Sequence, residues 1–172
     1  CGTEVWDNIQ AYLKVVADEE LNEEEWLPVH MLAGSSIDFP SVFIDIALHF
    51  NKEDLSKPNA KGMLPLHLAC ARKGPNKAAP CDDSLAFRLM RLYPQAAYKV
   101  SGNTKRLAIH LAVESQKPLP VIAALLKAYP NSLNVKDPIT GLWPFLLAAI
   151  DNDETIDISY SLLRADPSIV QL

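Results

Sequence analysis

Apolar and polar positions along this chain fall into two alternating patterns. The first is a short phrase, apolar-Pro-apolar-His. It stands at Leu27-Pro28-Val29-His30 and Leu64-Pro65-Leu66-His67, and in altered form at Leu107-Ala108-Ile109-His110 and Trp143-Pro144-Phe145-Leu146. Behind each phrase comes a longer stretch with apolar residues at helical spacing, over 39–50, 82–93, 119–129 and 156–165. Leu85, Leu89 and Leu92 share one face, as do Ile122, Leu125 and Leu126. Proline at a first helical turn gives up only an N–H that would be orphaned anyway, and its fixed φ presets the helix. Pro28, Pro65 and Pro144 therefore predict helix starts.

Each longer stretch begins and ends on helix punctuation. Asp82, Asp83 and Ser84 supply capping oxygens, and Pro118 and Pro120 suit an N-terminus. Tyr93-Pro94 and Tyr129-Pro130 stop their helices, with Asp166-Pro167 as a third version, because proline inside a helix loses a hydrogen bond and clashes with the preceding turn. Polar connectors rich in turn residues follow, at 57–62, 101–106 and 137–141. From His30 to His67 is 37 residues, from His67 to His110 is 43, and from His110 to Leu146 is 36. Self-similarity at a period of 20 to 50 residues predicts stacked units, each covering its neighbour's apolar side. The small Ala69, Ala112 and Ala148 recur two residues after the histidine position and predict close helix approach. Ahead of these units, Val5, Trp6, Ile9, Tyr12, Leu13 and Val16 space as one amphipathic helix.

The phrase Leu64-Pro65-Leu66-His67-Leu68-Ala69, with Gly62 two residues before it and Gly141 in the same place in the fourth unit, resembles the ankyrin repeat. That family has a period of about 33 residues and the hallmark Thr-Pro-Leu-His-x-Ala. The resemblance runs from about residue 24 to the end. It implies a right-handed, all-α solenoid: an N-terminal helix or truncated repeat over 1–23, then units at 24–60, 61–103, 104–139 and 140–172. The hallmark threonine is replaced by Leu27, Leu64, Leu107 or Trp143, so the family's hydroxyl–histidine bond should be missing. The resemblance further implies a protein–protein interaction module, a scaffold or adaptor rather than an enzyme. Such modules bind with their connector tips and the exposed side of the first helix. Carried over by position, this nominates Trp26, Lys61, Met63, Arg72, Arg106, Glu114, Ile139, Leu142 and Asp151 as partner contacts. Alternative readings are a structural subunit fixed in a larger assembly, or the regulatory repeats of a larger multidomain protein.

Composition narrows the classes. The chain has 172 residues, a formal charge of −5 and a 49% hydrophobic fraction, the profile of an ordinary soluble domain. Mild acidity argues against a broad nucleic-acid footprint. The longest apolar run, 142–150, is far shorter than the roughly 20 residues a bilayer helix needs, so no membrane insertion is expected. Three cysteines, with no Asn-x-Ser/Thr sequon, suit a reducing, intracellular setting better than a disulfide framework. The chain opens on Cys1 rather than methionine, so an upstream segment is expected, and any targeting sequence would lie in it.

Candidate chemistry is sparse. His67 and Cys70 lie three apart on one helix, with Cys81 eleven further on, but structural zinc wants four ligands. No metal, cofactor or catalytic group is expected. Repetition of the histidines at one register predicts buried packing groups with a backbone hydrogen bond, and Cys70 reads as a small buried apolar group. The acidic run from Asp18 to Glu25 reads as a solvated connector, or else as a docking face for a basic partner. The excess length of the second unit lies at 72–80, a basic segment rich in proline and glycine where an insertion would be tolerated or used for binding.

Overall fold

Helix-start chemistry decides where the elements begin. The computed structural model describes residues 2–17, 27–35, 37–73, 84–151 and 156–167. Among these are nine α-helices and no strand beyond a single antiparallel bridge between Val100 and Leu107. In chain order they are α1 (Gly2–Ala17), α2 (Pro28–Gly34), α3 (Ser41–Phe50), α4 (Pro65–Ala71), α5 (Leu85–Leu92), α6 (Ala108–Glu114), α7 (Leu119–Ala128), α8 (Pro144–Asp151) and α9 (Ile156–Ala165). The fold is all-α. The phrase prolines Pro28, Pro65 and Pro144 each open a helix, as their missing N–H and fixed φ require. Ser84 caps α5, its hydroxyl accepting from the Phe87 N–H at 3.3 Å. Asp82 and Asp83 lie outside the described residues.

The helices end where proline forbids continuation, and the chain then tightens. Tyr93 and Tyr129 donate their N–H back to Leu89 and Leu125, and Pro94 and Pro130 each start a 3-10 turn, Pro94–Tyr98 and Pro130–Asn134. The turn after α3, Lys52–Leu55, does the same without a proline.

The short helices pack in series, α2 on α4, α4 on α6 and α6 on α8, and each also packs on the longer helix that follows it. On the longer-helix side α1 packs against α3 and α5 against α7. Arg88 on α5 bridges to α3 through Asp45 at 2.6 Å and the Ser41 carbonyl. Ala69, Ala112 and Ala148 are all buried in the long apolar cluster that these helices share.

One apolar cluster runs from Val29 on α2 to Leu162 on α9 without a break, and includes Leu66, Leu89, Ile109, Ile122 and Leu125. A second, smaller cluster of Trp6, Ile9, Leu13, Leu32 and Ala47 holds α1. Trp6 stacks on Phe50 with centroids 5.9 Å apart, and Tyr12 meets Phe43 edge-on. No described helix is long and apolar enough to cross a membrane.

Candidate functional site

Three connectors lead into α4, α6 and α8, and the same backbone device closes each. The N–H of Asn59, Ser101 and Asp137 donates across the turn to the carbonyl of Met63, Arg106 and Leu142, at 3.0, 2.8 and 2.8 Å. The side-chain oxygen of the same residue then holds the turn from within. Asn59 Oδ1 accepts from the Met63 and Lys61 N–H groups, and Ser101 Oγ from the Arg106 N–H. Asp137 accepts from the Ile139 N–H and the Thr140 hydroxyl. Each turn needs a left-handed residue two before the phrase. Gly62 and Gly141 supply it at φ +68° and +70°, and in the second connector Lys105 takes φ +55°.

Histidines fasten each connector to the unit before it. His67 Nδ1 accepts from the Leu64 N–H at 3.1 Å, while Nε2 lies 2.9 Å from the Lys99 carbonyl in the next connector. His110 repeats this with the Leu107 N–H at 3.2 Å and the Val135 carbonyl at 2.9 Å. His30 Nε2 reaches the Met63 carbonyl at 3.2 Å. No hydroxyl is needed at His67 or His110, because a backbone N–H fills the Nδ1 acceptor. Burial pushes the pKa of all three histidines below the usual imidazole value, against the raising effect of those carbonyls, so the rings are neutral.

The connectors lie side by side. The Gly102 N–H donates to the Gly62 carbonyl at 2.7 Å, and a Cβ on Gly62 would stand 2.5 Å from the Gly102 Cα. The second and third connectors are joined by an ion pair. Arg106 places Nη2 at 2.9 Å and Nε at 2.9 Å from the two Asp137 oxygens, and Nη1 at 2.6 Å from Glu114. Burial alone would raise the Asp137 pKa. The Ile139 and Thr140 hydrogen bonds and the Arg106 charge outweigh it and hold the carboxyl below its ordinary range.

Against the nominated contacts, the outcome is mixed. Lys61 and Ile139 project from connector tips, with Ile139 62% exposed. Met63 and Leu142 are half-buried beside them. Arg72 is half-buried and paired to Asp38 at 2.5 Å. Glu114 is 44% exposed at its side chain, with one oxygen tied to Arg106. Arg106 must be corrected: its residue is only 4% exposed and its guanidinium is spent on two carboxylates, so it is an internal tie and not a surface contact. Trp26 and the side chain of Asp151 lie outside what is described, as do the acidic run, most of the 72–80 segment and Cys81. Sequence reasoning passed over Lys105 and Lys136, both exposed on connectors beside the nominated residues. The signal available was a lysine recurring in each connector.

His67 and Cys70, the two candidate reactive groups on α4, are both sequestered. Both ring nitrogens of His67 are engaged by backbone, and Cys70 is fully buried with its thiol pushed up to about 12 by desolvation. Among the described residues no three His, Cys, Asp or Glu side chains converge to hold a metal. A cleft of about 290 Å³ lies between the end of α7 with its following turn and the end of α9, lined by Leu126, Lys127, Pro130, Leu133 and Asp166 among others. Set against known families and curated proteins, the chain matches no family model and no curated sequence.

Proposed function

We propose that the chain is a protein–protein interaction module built as an ankyrin-like helical solenoid, which grips a protein partner with its connector tips and the adjoining ends of the short helices. The observation that carries this reading is the row of three connectors. They share one turn geometry, are joined backbone to backbone at Gly62 and Gly102, and expose Lys61 and Ile139 outward. A rigid scaffold presenting variable side chains at fixed intervals is the layout repeat arrays use for recognition. The module has no catalysis of its own in this reading.

The test is capture from native lysate with mass spectrometry, comparing the wild-type chain with Lys61→Glu plus Ile139→Asp. Both side chains are exposed, so helicity should be unchanged while specific partners disappear. Capture that is indifferent to the pair would remove this face from consideration.

A second reading, a subunit embedded in a larger assembly, is favoured by one observation. Leu146 stands at the register of His67 and His110 but carries no clamp, and it and Ile150 on α8 are exposed. If they pack against a fixed neighbour, the isolated chain should self-associate on size exclusion with light scattering. A clean monomer at high concentration speaks for the free adaptor.

A further inference from the structure

The connector edge differs in charge from the rest of the chain. Over 57–62, 99–106 and 135–142, Lys57, Lys61, Lys105 and Lys136 are exposed. The one carboxylate in these segments, Asp137, is buried and neutralised by the equally buried Arg106. No exposed carboxylate stands on any of the three connectors, although the chain as a whole carries −5. Lys57 is drawn toward Glu53 and Asp54 of the preceding turn. Lys136 lies over the Trp143 ring at 5.0 Å, which positions its ammonium without neutralising it.

We infer that this edge receives an acidic, extended segment of a partner protein, with an apolar residue of that segment seated on Ile139. The inference rests on the recognition face proposed above and adds the chemistry of what binds there. Neighbouring packed units are spaced by about 8–10 Å, and a segment extended as polyproline II advances about 3.1 Å per residue and turns once in three, so every third side chain faces the same way. One residue in three can therefore meet successive connectors. A segment with carboxylates three apart matches Lys61, Lys105 and Lys136 in turn. Exposed ion pairs of this kind contribute to encounter and register more than to tight binding, so the interaction is salt-sensitive.

The probe is a fluorescein-labelled peptide of about twelve residues, with Glu at every third position and Leu and Ser between, followed by fluorescence anisotropy on the full chain. A Gln-for-Glu peptide and a single-stranded oligonucleotide of equal length serve as controls. The expected result is binding of the Glu peptide only, weakened about tenfold or more between about 50 and 500 mM salt and lost in Lys61→Glu/Lys105→Glu/Lys136→Glu. Unaltered binding by that triple variant overturns the proposal, as does absence of binding. Equal or tighter binding of the oligonucleotide overturns it in favour of a general polyanion site. A marked gain in peptide affinity on neutralising the chain's own Asp18–Glu25 run assigns the edge to that run, and also overturns it. The triple variant in the lysate capture separates the two proposals: partners retained there leave the recognition face standing and remove only the acidic chemistry.

Discussion

At His67 and His110 each ring joins three pieces of chain: its own helix start, its own helix and the connector of the next unit. Replacing His110 by Leu strands a buried N–H and a buried carbonyl, which together should cost about 2–4 kcal/mol. The pH sign follows from the lowered pKa of the three buried rings. A folded-state pKa below the unfolded value of 6.5 means that the neutral rings contribute fully above pH 6.5, and that stability is lost as pH falls below it. The thermal midpoint should therefore drop between about pH 7.5 and 5.5, and less steeply in His110→Leu, which has one fewer site to protonate. A flat profile would mean that the rings are not buried as described. Arg106 shows where residue-scale inference from sequence stops. Its position beside a turn predicted exposure, but its fate is set by Asp137, thirty-one residues on. No local pattern reports a partner at that distance. The histidines were legible because four copies of one phrase reported on one another.

The elements were easier to read. The phrase prolines fixed the first residue of α2, α4 and α8, and the expected stops at Tyr93 and Tyr129 fall one residue past the observed ends of α5 and α7. The starts of α3 and α5 sit two and three residues later than the apolar pattern suggested, because Pro40 and Ser84 take the cap positions. Connector geometry was half-visible: Gly62 and Gly141 marked two left-handed positions, whereas Lys105 concealed the third. Changing Lys105 to Gly should relieve left-handed strain and raise stability by about 0.5–1 kcal/mol after glycine's own entropy cost. Gly62→Ala should do the opposite by about 2 kcal/mol or more, since its Cβ meets the Gly102 backbone at 2.5 Å as well as carrying the wrong φ. Urea melts of the two variants check both signs.

For the whole molecule, the division of the core into two clusters predicts two levels of stability. The long cluster ties α2 to α9, while α1 is held by a smaller one, Trp6, Ile9 and Leu13 against Leu32 and Ala47, with Phe39, Phe43 and Ile46 packed on it. Leu13→Ala should remove about 2–5 kcal/mol from the docking of α1. Hydrogen exchange in α1 should then rise to that of an open helix while protection in α4, α6 and α7 persists. Uniform loss across the chain would show that α1 is part of the same cooperative unit. The clamps also give the array a direction. Each imidazole reaches forward along the chain, to a carbonyl in the connector that leads to the next short helix, and none reaches back. A unit duplicated in the interior carries both hook and eye, and can be spliced into the row without altering either neighbour. A unit grafted behind α9 meets Leu146, a smooth peg where the hook should be. A histidine at position 146 would give α8 the same hook that α4 and α6 carry.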